Sequence, residues 1–472
     1  MTTLHFPFSV DLAPSRRYCL AMARFPLDKK IKRFAARFNE AGHSLYVVGG
    51  AVRDHLLGIP IEDYDFTTDA RPEEVVSLFR RVIPTGIEHG TVSVHWEGEL
   101  YEVTTFRSDG AYLDSRHPSH VDFITSLEED LKRRDFTINA FAVDCTSGQI
   151  IDLNGGYEDL KARQIRAIGN PEQRFDEDGL RILRAARIAA KIDFVIEART
   201  LEAMRAKRDN LLPVSAERIR EELFKLVGSD HPRTGLEYLR ESGVLSIILP
   251  ELMEGDGIEQ GGMHRETVLE HAISCCEASV HFTDKPEVRF AALLHDIGKS
   301  RTVQQGEGRF TFIGHETVGR EMARAIMLRL KASGEQTALV EDLVAHHMFF
   351  YESSWTDSAV RRFIKRVTLP RLADLFALRL ADHAAIHGSI DGTLLDELKA
   401  RIEAIVAEGD ALTVKDLAIG GNELMALGIP KGPLIGAVLE YLLETVLDDP
   451  SQNTSARLTT ISERYFSLIK TS

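Results

Sequence analysis

Between Leu45 and Ile168 the spacing of apolar residues changes period several times. LYVVGG is a short apolar run closed by two glycines, TVSVHWEG and LYEVTTF alternate apolar with polar positions, and FTINAFAVD is a further apolar run. Such runs predict strands, while AVRDHLLG between them has helical spacing. From Asp176 onward GLRILRAARIAA, SAERIREELFKLV and RTGLEYLRESGVL place their apolar residues at helical intervals. The glycine-rich stretch EGDGIEQGGM reads as a linker, a second helical unit runs from His264 to about Ala407, and GGNELMALGIPKGPLIGAVLEYLLE forms a helical tail. There is no tandem repeat. The expected class is α+β: an N-terminal extension and first helix (1–40), a mixed head (41–170), a helical neck (171–260), a second helical domain (264–407) and a helical tail (408–472).

With 472 residues, 44% of them hydrophobic and 27% charged, the composition is that of a globular protein with room for two to four domains. No apolar run reaches the roughly 18–20 residues of a membrane helix, so no membrane partner is expected. MTTLHFPFSVDLAPSRRYC lacks the basic start and apolar core of a secretory signal. Cys19, Cys145, Cys275 and Cys276 show no CxxC spacing, which suits reduced thiols and a cytoplasmic location. The net charge of −15 argues against a nucleic acid partner only if charge is spread evenly. It is not: basic residues cluster at Lys29–Arg33, Lys132–Arg134, along Arg181, Arg184 and Arg187, and in RRFIKR at Arg361–Arg366. Nothing in the chain specifies an oligomeric state.

The candidate chemistry starts at VVGG. A strand, two glycines (Gly49, Gly50) and a helix opening set backbone N–H groups and a helix dipole toward a phosphate. Asp63 and Asp65 in IEDYDFTTDA share one face if that segment is a strand, and paired carboxylates call for a hard cation such as Mg²⁺. Glu102 in YEVTTFR stands ready as a third. Two such ions would activate an attacking hydroxyl and neutralise a departing pyrophosphate.

GGAVRDHLLG, DYDFTT, RRDFTINAFAVD, DLNGGYEDLKARQIRAIG and FDEDGLRILRAARIAA, continued by SAERIREELFKLV, resemble in order and spacing the motifs of the class II tRNA nucleotidyltransferase and bacterial poly(A) polymerase superfamily. The resemblance covers roughly Tyr46 to Glu251. It implies a polymerase-β-like head with catalytic metal ligands Asp63 and Asp65, joined by Glu102, and partners tRNA, ATP and CTP. It also implies that Arg133, Arg134, Asp135 and Asn139 hold the sugar and triphosphate. Arg53, Asp54, Arg107, Arg184 and Arg187 complete the expected nucleotide-binding set. Asp178 and Arg181 match the EDxxR motif of that family and stand at i and i+3, expected neighbours on one helix face. An acceptor beside a donor suits the amino group and ring nitrogen of both cytosine and adenine, and opposes uracil and guanine. TFRSDGAYLDSRHPSHVDF resembles the loop of enzymes that add all three nucleotides, and VIPTGIEHGTVSV resembles the CCA-adding type rather than poly(A) polymerases. An enzyme that adds only A, or a poly(A) polymerase, remains the alternative.

His271, His295–Asp296, His315, His346–His347 and Asp382 form the pattern H…HD…H…H…D over about His264 to Ile386, which resembles the HD superfamily of metal-dependent phosphohydrolases. The resemblance implies that His271, His295, Asp296 and Asp382 hold a metal, with His315 and His346 available for a second site. Manganese, nickel or iron suits imidazole with carboxylate. His347 and His383 are given no role. The tail turn LGIPKGPLIG and the run Arg361–Arg366 are the expected contacts to the tRNA body. Two other classes compete: a hydrolase whose head only senses nucleotides, and a non-catalytic RNA-binding protein. Intact Asp63 and Asp65 speak against both.

Overall fold

The computed structural model describes residues 24–87, 90–109, 121–261, 265–305, 310–388 and 392–471. The N-terminal extension as far as residue 23, the loop at 110–120 and His264 lie outside the described residues. Described residues up to Gly257, with Ile326–Ser333, form one compact unit, and Ile258–Ala325 with the chain from Gly334 form another.

In the first unit the N-terminal helix α1 (Lys29–Glu40) is capped by Asp28, whose side chain accepts the Ile31 N–H. The strands β1 (Leu45–Val48), β2 (Asp65–Thr68), β3 (Val82–Gly86), β4 (Thr91–Trp96), β5 (Glu99–Thr105), β6 (Arg107–Asp109), β7 (Val121–Phe123), β8 (Phe141–Asp144) and β9 (Ile150–Asp152) follow, with β6 and β7 pairing apart from the rest. The other seven form one sheet in the order β3-β4-β5-β2-β1-β8-β9, antiparallel except where β2 meets β5. Phe34 of α1 packs in the core against Phe66 of β2 and Tyr101 of β5 at ring separations of 5.2 and 5.1 Å. Successive side chains of a strand point to opposite faces. With Phe66 and Tyr101 turned toward α1, Asp65 and Glu102 face the other way, and the two are Cα partners in the parallel register. The aromatic core under α1 therefore decides which face carries the carboxylates.

Between the strands lie α2 (Gly50–Leu57), α3 (Pro72–Leu78) and α4 (Leu127–Lys132). Leu131 of α4 is fully buried against Val48 and Ala142. That contact sets the end of α4 beside the carboxylate face.

After α5 (Gly156–Lys161) come α6 (Pro171–Glu177), α7 (Leu180–Ile192), α8 (Ala198–Ala206), α9 (Ala216–Val227), α10 (Pro232–Glu241), α11 (Leu245–Ile248) and α12 (Pro250–Met253). Helix α7 buries ten of its 13 residues. Gly235 lets α10 close on it: a Cβ there would lie 2.8 Å from the Ala186 carbonyl oxygen. The second unit contains α13 (Val268–Ala278), α14 (Pro286–Leu294), α15 (Lys299–Thr302), α16 (His315–Arg329) as far as Ala325, α17 (Gly334–His346), α18 (Asp357–Val367), α19 (Leu369–His387), α20 (Thr393–Ala407), α21 (Gly421–Ala426), α22 (Pro433–Asp448) and α23 (Ser455–Thr471). No helix among the described residues is long and apolar enough to cross a membrane.

Candidate functional site

Strand β1 ends at Gly49, whose φ of +74° is in the left-handed region that favours glycine. A Cβ there would lie 3.4 Å from Asp65 Oδ2 and 3.9 Å from Arg134 Nη1. The glycine turn, the carboxylate and the arginine thus converge on one spot. Asp65 opens β2, while Asp63 lies in the extended segment just before strand pairing begins, and Glu102 is exposed beside Asp65. Crowding by surrounding atoms pushes the Asp65 carboxyl upward, Arg134 and Arg184 pull it down, and the Asp63 charge pushes it up. Two carboxylates close enough to feel one another favour a cation between them.

Arg133 and Arg134, just past α4, are both held by Asp130, which sequence reading missed. Arg133 Nη2 lies 2.7 Å from Asp130 Oδ1 and Arg134 Nη2 3.4 Å from Oδ2. Burial alone would raise the Asp130 carboxyl, but the two arginines hold it below the usual range. The only sequence signal was its spacing, three and four residues before them on a helix. The Arg107 N–H donates to the same carboxylate at 3.4 Å. Arg134 Nε is buried with no hydrogen-bond partner among the described residues.

Behind the glycine turn runs a chain of buried pairs. Arg53 donates to Asp54 and, at 2.7 Å, to Asn139; Asn139 donates to Asp135 at 3.3 Å; Arg184 donates to Asp135 at 2.6 and 2.8 Å. Lys191 closes it on Asp54 at 3.0 Å. Arg187 pairs with Glu222, buried in α9. Burial would raise the Asp135 carboxyl, yet Arg184 keeps it well below the usual range. Arg53, Asp54, Asp135, Asn139, Arg184 and Arg187 are therefore engaged with one another and bind α2, the Thr137–Asn139 turn, α7 and α9 together.

Asp178 and Arg181 are not two positions of one helix. Asp178 is the extended residue that ends α6, and α7 starts only at Leu180. The break lies at the extended Asp178, and the next residue must be glycine, because a Cβ at Gly179 would sit 2.1 Å from the Asn210 carbonyl oxygen. Asp178 Oδ1 accepts the Leu180 N–H at 3.0 Å, and Oδ2 accepts Arg218 Nη2 at 2.7 Å. Arg181 pairs with Glu177 and donates to the Arg133 carbonyl at 3.0 Å. Acceptor and donor are thus held separately, each by its own partners.

In the second unit the predicted ligands meet in a buried cluster. His271 Nε2 lies 3.1 Å from Asp382 Oδ1, and His295 Nε2 lies 3.2 Å from Asp296 Oδ2. On the other side of the same carboxylate, Asp296 Oδ1 faces His315 Nε2 at 3.3 Å and His347 Nε2 at 3.4 Å. Two candidate ligand groups, His271–His295–Asp296 and Asp296–His315–His347, share Asp296. The Nδ1 atoms of His295, His315 and His347 lie 2.7–2.8 Å from the carbonyls of Ala292, Phe312 and Val344. A carbonyl accepts only from N–H, so Nδ1 carries the proton and each Nε2 lone pair faces the centre. Among the described residues His295 Nε2 is buried without a hydrogen-bond partner.

His347, which sequence reading left without a role, therefore replaces His346. Helix α17 ends at His346, which is half-buried away from the cluster, where burial and then Arg366 lower its pKa. His347 is the first residue past the helix, and its Nδ1 on the Val344 carbonyl turns Nε2 toward Asp296. Lys299 and Arg379 were also missed: Lys299 Nζ reaches Asp296 Oδ2 at 2.6 Å and Gln260 at 2.7 Å, and Arg379 Nη1 reaches Asp382 Oδ2 at 2.8 Å.

The run Arg361–Arg366 does not offer the free basic surface expected of it. Arg361 is buried on Asp410 and the Leu447 carbonyl, Arg362 pairs with Glu444 and Asp448, Lys365 with Glu440 and Glu444, and Arg366 lies over Phe363. These contacts fasten α18 to α22.

Sequence families described as poly A polymerase head domain, probable RNA and SrmB-binding site of polymerase A, and HD domain match residues 45–166, 193–255 and 268–386. The CCA-adding enzyme of Lactococcus lactis subsp. lactis (strain IL1403) is 36% identical over 433 residues, 89% of this chain and 93% of that protein. That of Streptococcus pyogenes serotype M2 (strain MGAS10270) is 52% identical over 200 residues, 42% of this chain and half of that relative. The crystal structure of the Bacillus stearothermophilus CCA-adding enzyme in complex with CTP superposes with a TM-score of 0.72 at 29% identity, covering 95% of this chain and 100% of that one.

Proposed function

Since the chain belongs to the CCA-adding family of tRNA nucleotidyltransferases, we propose that its head builds or repairs the 3′-terminal CCA of tRNA from CTP and ATP without a nucleic acid template. The observation that carries this is the convergence of Gly49, Asp65 and Arg134, with Glu102 in register beside Asp65. The donor set fits Mg²⁺: Asp63, Asp65 and Glu102 are oxygen ligands, and the Asp65 carboxyl is already raised by its surroundings. Bound there, such ions would lower the pKa of the tRNA 3′-hydroxyl and neutralise the departing pyrophosphate. The N–H groups at the start of α2 and the unpartnered Arg134 Nε hold triphosphate oxygens, with Arg133 and Arg107 beside them. Arg53, Asp54, Asp135, Asn139, Arg184 and Arg187 act behind this surface, keeping head and neck helices in position.

Asp178 accepts from the base amino group while Arg181 donates to the ring nitrogen. Cytosine and adenine satisfy both; uracil and guanine set acceptor against acceptor and leave a buried polar group unpaired, at about 1–3 kcal/mol. The test is incubation with tRNA lacking CCA and with CTP and ATP, singly and together. Stepwise C, C and A addition is expected. Extension by ATP alone, only on tRNA ending in CC and with no CTP incorporation, would make it an A-adding enzyme.

The second unit is a metal-dependent phosphohydrolase acting on phosphate esters such as a 2′,3′-cyclic or terminal phosphate on damaged tRNA. Its buried, unpartnered His295 Nε2 and the inward lone pairs of His315 and His347 fit Mn²⁺, Ni²⁺ or Fe²⁺. Hydrolysis with each ion by the wild type, lost in Asp296→Ala, is the expected result; hydrolysis that survives the substitution would sink it. The divisions at residues 170, 260 and 407 separate head, neck, metal-binding domain and tail in this reading. The turn between α21 and α22 is its contact to the tRNA body, and three buried free thiols, Cys145, Cys275 and Cys276, suit the cytoplasm.

A further inference from the structure

Asp382 uses its two oxygens differently. Oδ1 faces the histidines, 3.1 Å from His271 Nε2 and 3.8 Å from His295 Nε2, while Oδ2 accepts from Arg379 Nη1 at 2.8 Å. The two residues stand one turn apart on α19, where positions i and i+3 are neighbours. Two cations touch the cluster among the described residues, and they differ in kind. Lys299 is buried and engaged on both sides, by Asp296 Oδ2 and Gln260 Oε1. Arg379 stays 30% exposed, and the bond to Asp382 uses one of its five N–H donors.

A phosphate ester approaching this centre meets the carboxylates of Asp296 and Asp382, which repel it. A planar, partly exposed guanidinium with donors left over from its bond to Asp382 can match two phosphate oxygens at once and offset the charge of Asp382. Fixing Asp382 through Oδ2 also keeps Oδ1 turned inward.

We propose that Arg379 is the residue that holds the non-reacting phosphate oxygens of the ester bound at the buried histidine–aspartate centre, anchored by its bond to Asp382. This rests on the phosphohydrolase reading of the second unit. The test uses the full chain loaded with Mn²⁺ and titrates inorganic phosphate by calorimetry in the wild type, Arg379→Ala and Arg379→Lys, with metal per chain measured alongside. Arg379→Ala should bind phosphate about tenfold more weakly at unchanged metal content, the size expected for a charge-assisted contact, and Arg379→Lys should recover part of it. In hydrolysis the loss should fall on KM rather than kcat. Phosphate affinity within twofold of wild type at equal metal content would overturn the proposal. So would a loss of phosphate binding that merely follows loss of metal. If the wild type hydrolyses nothing but phosphate binding still depends on Arg379, the hydrolase reading falls and this assignment stands.

Discussion

Arg218 offers the sharpest test of how the bases are chosen. Its Nη2 donates to Asp178 Oδ2 at 2.7 Å, while the other oxygen of that carboxylate is held by the Leu180 N–H at 3.0 Å. Removing Arg218 leaves Asp178 tethered at one oxygen and free to turn at the other. A hydrogen bond to a charged group contributes about 1.5–3 kcal/mol. Both side chains are partly exposed, at 27% and 18%, so screening brings this to about 1–2 kcal/mol. If that energy holds the acceptor where cytosine and adenine need it, Arg218→Ala should erode discrimination against UTP and GTP by roughly 5- to 30-fold. The readout is kcat/KM for each of the four nucleotides on tRNA ending at the matching position, with a denaturant melt to check the fold. The loss should fall on the right nucleotides more than it helps the wrong ones, and Arg218→Lys should restore part of it. An equal fall in kcat/KM for all four would refute the reasoning, because it would mean that Arg218 supports the fold without aiming Asp178.

Asp65→Asn should abolish nucleotidyl transfer while leaving tRNA binding, followed by filter retention, within about twofold, since it removes one charge at an exposed strand end. Arg184→Ala should destabilise the first unit by about 2 kcal/mol near neutral pH, less than for a fully buried pair because Arg184 is 37% exposed. The Asp135 carboxyl is depressed in the fold, so its stabilisation is present above the unfolded carboxylate pKa of about 3.9 and is lost as pH falls toward the folded value. The gap between wild type and variant in urea melts should therefore shrink below about pH 4. His347→Ala should lower bound Mn²⁺ by one ion per chain, whereas His346→Ala should leave the count unchanged; elemental analysis after dialysis decides. Gly179→Ala should cost about 2–3 kcal/mol by forcing Asn210 away from the α6–α7 break, measured by the same urea melts.

What the sequence made legible follows from how local each signal is. The strand LYVVGG and the HD dipeptide sit where their spacing placed them, because a strand period or a residue pair is set within a few positions; of the carboxylates in DYDFTT only Asp65 lies on the strand, Asp63 falling in the extended segment before it. The relation of Asp178 to Arg181 misled for the opposite reason. Three-residue spacing means shared helix face only if the helix is unbroken, and here the chain is extended at Asp178 while the Asn210 backbone, 31 residues on from Gly179, leaves no room for a side chain there. His346 and His347 could not be told apart by residue type, since the choice depends on where α17 stops. Asp130 lies just before RRDFTINAFAVD and Arg218 within SAERIREELFKLV, yet what marks them out is their partners: Asp130 holds Arg133 and Arg134, and Arg218 holds Asp178 from another helix.

The same distinction explains how a chain with net charge −15 serves a polyanion. Nearly every basic cluster seen in the sequence is matched by acids in the fold, but the matches are of two kinds. Arg184 on Asp135, Arg187 on Glu222 and Arg361 on Asp410 each end on a carboxylate that is itself buried or nearly so, and breaking them would leave that charge without its partner. Arg33 on Glu97 and Lys132 on Glu128 are surface pairs, screened by solvent, that contribute little. A phosphate backbone can replace the second kind of partner at little cost and cannot replace the first. The arginines nearest the reading site are thus poor ligands for the tRNA body and good ones for fixing geometry, whereas exposed, weakly paired lysines and arginines such as Lys132 and Arg33 are free to exchange. Excess acid is then no contradiction of RNA binding: much of it holds the arginines that shape the site.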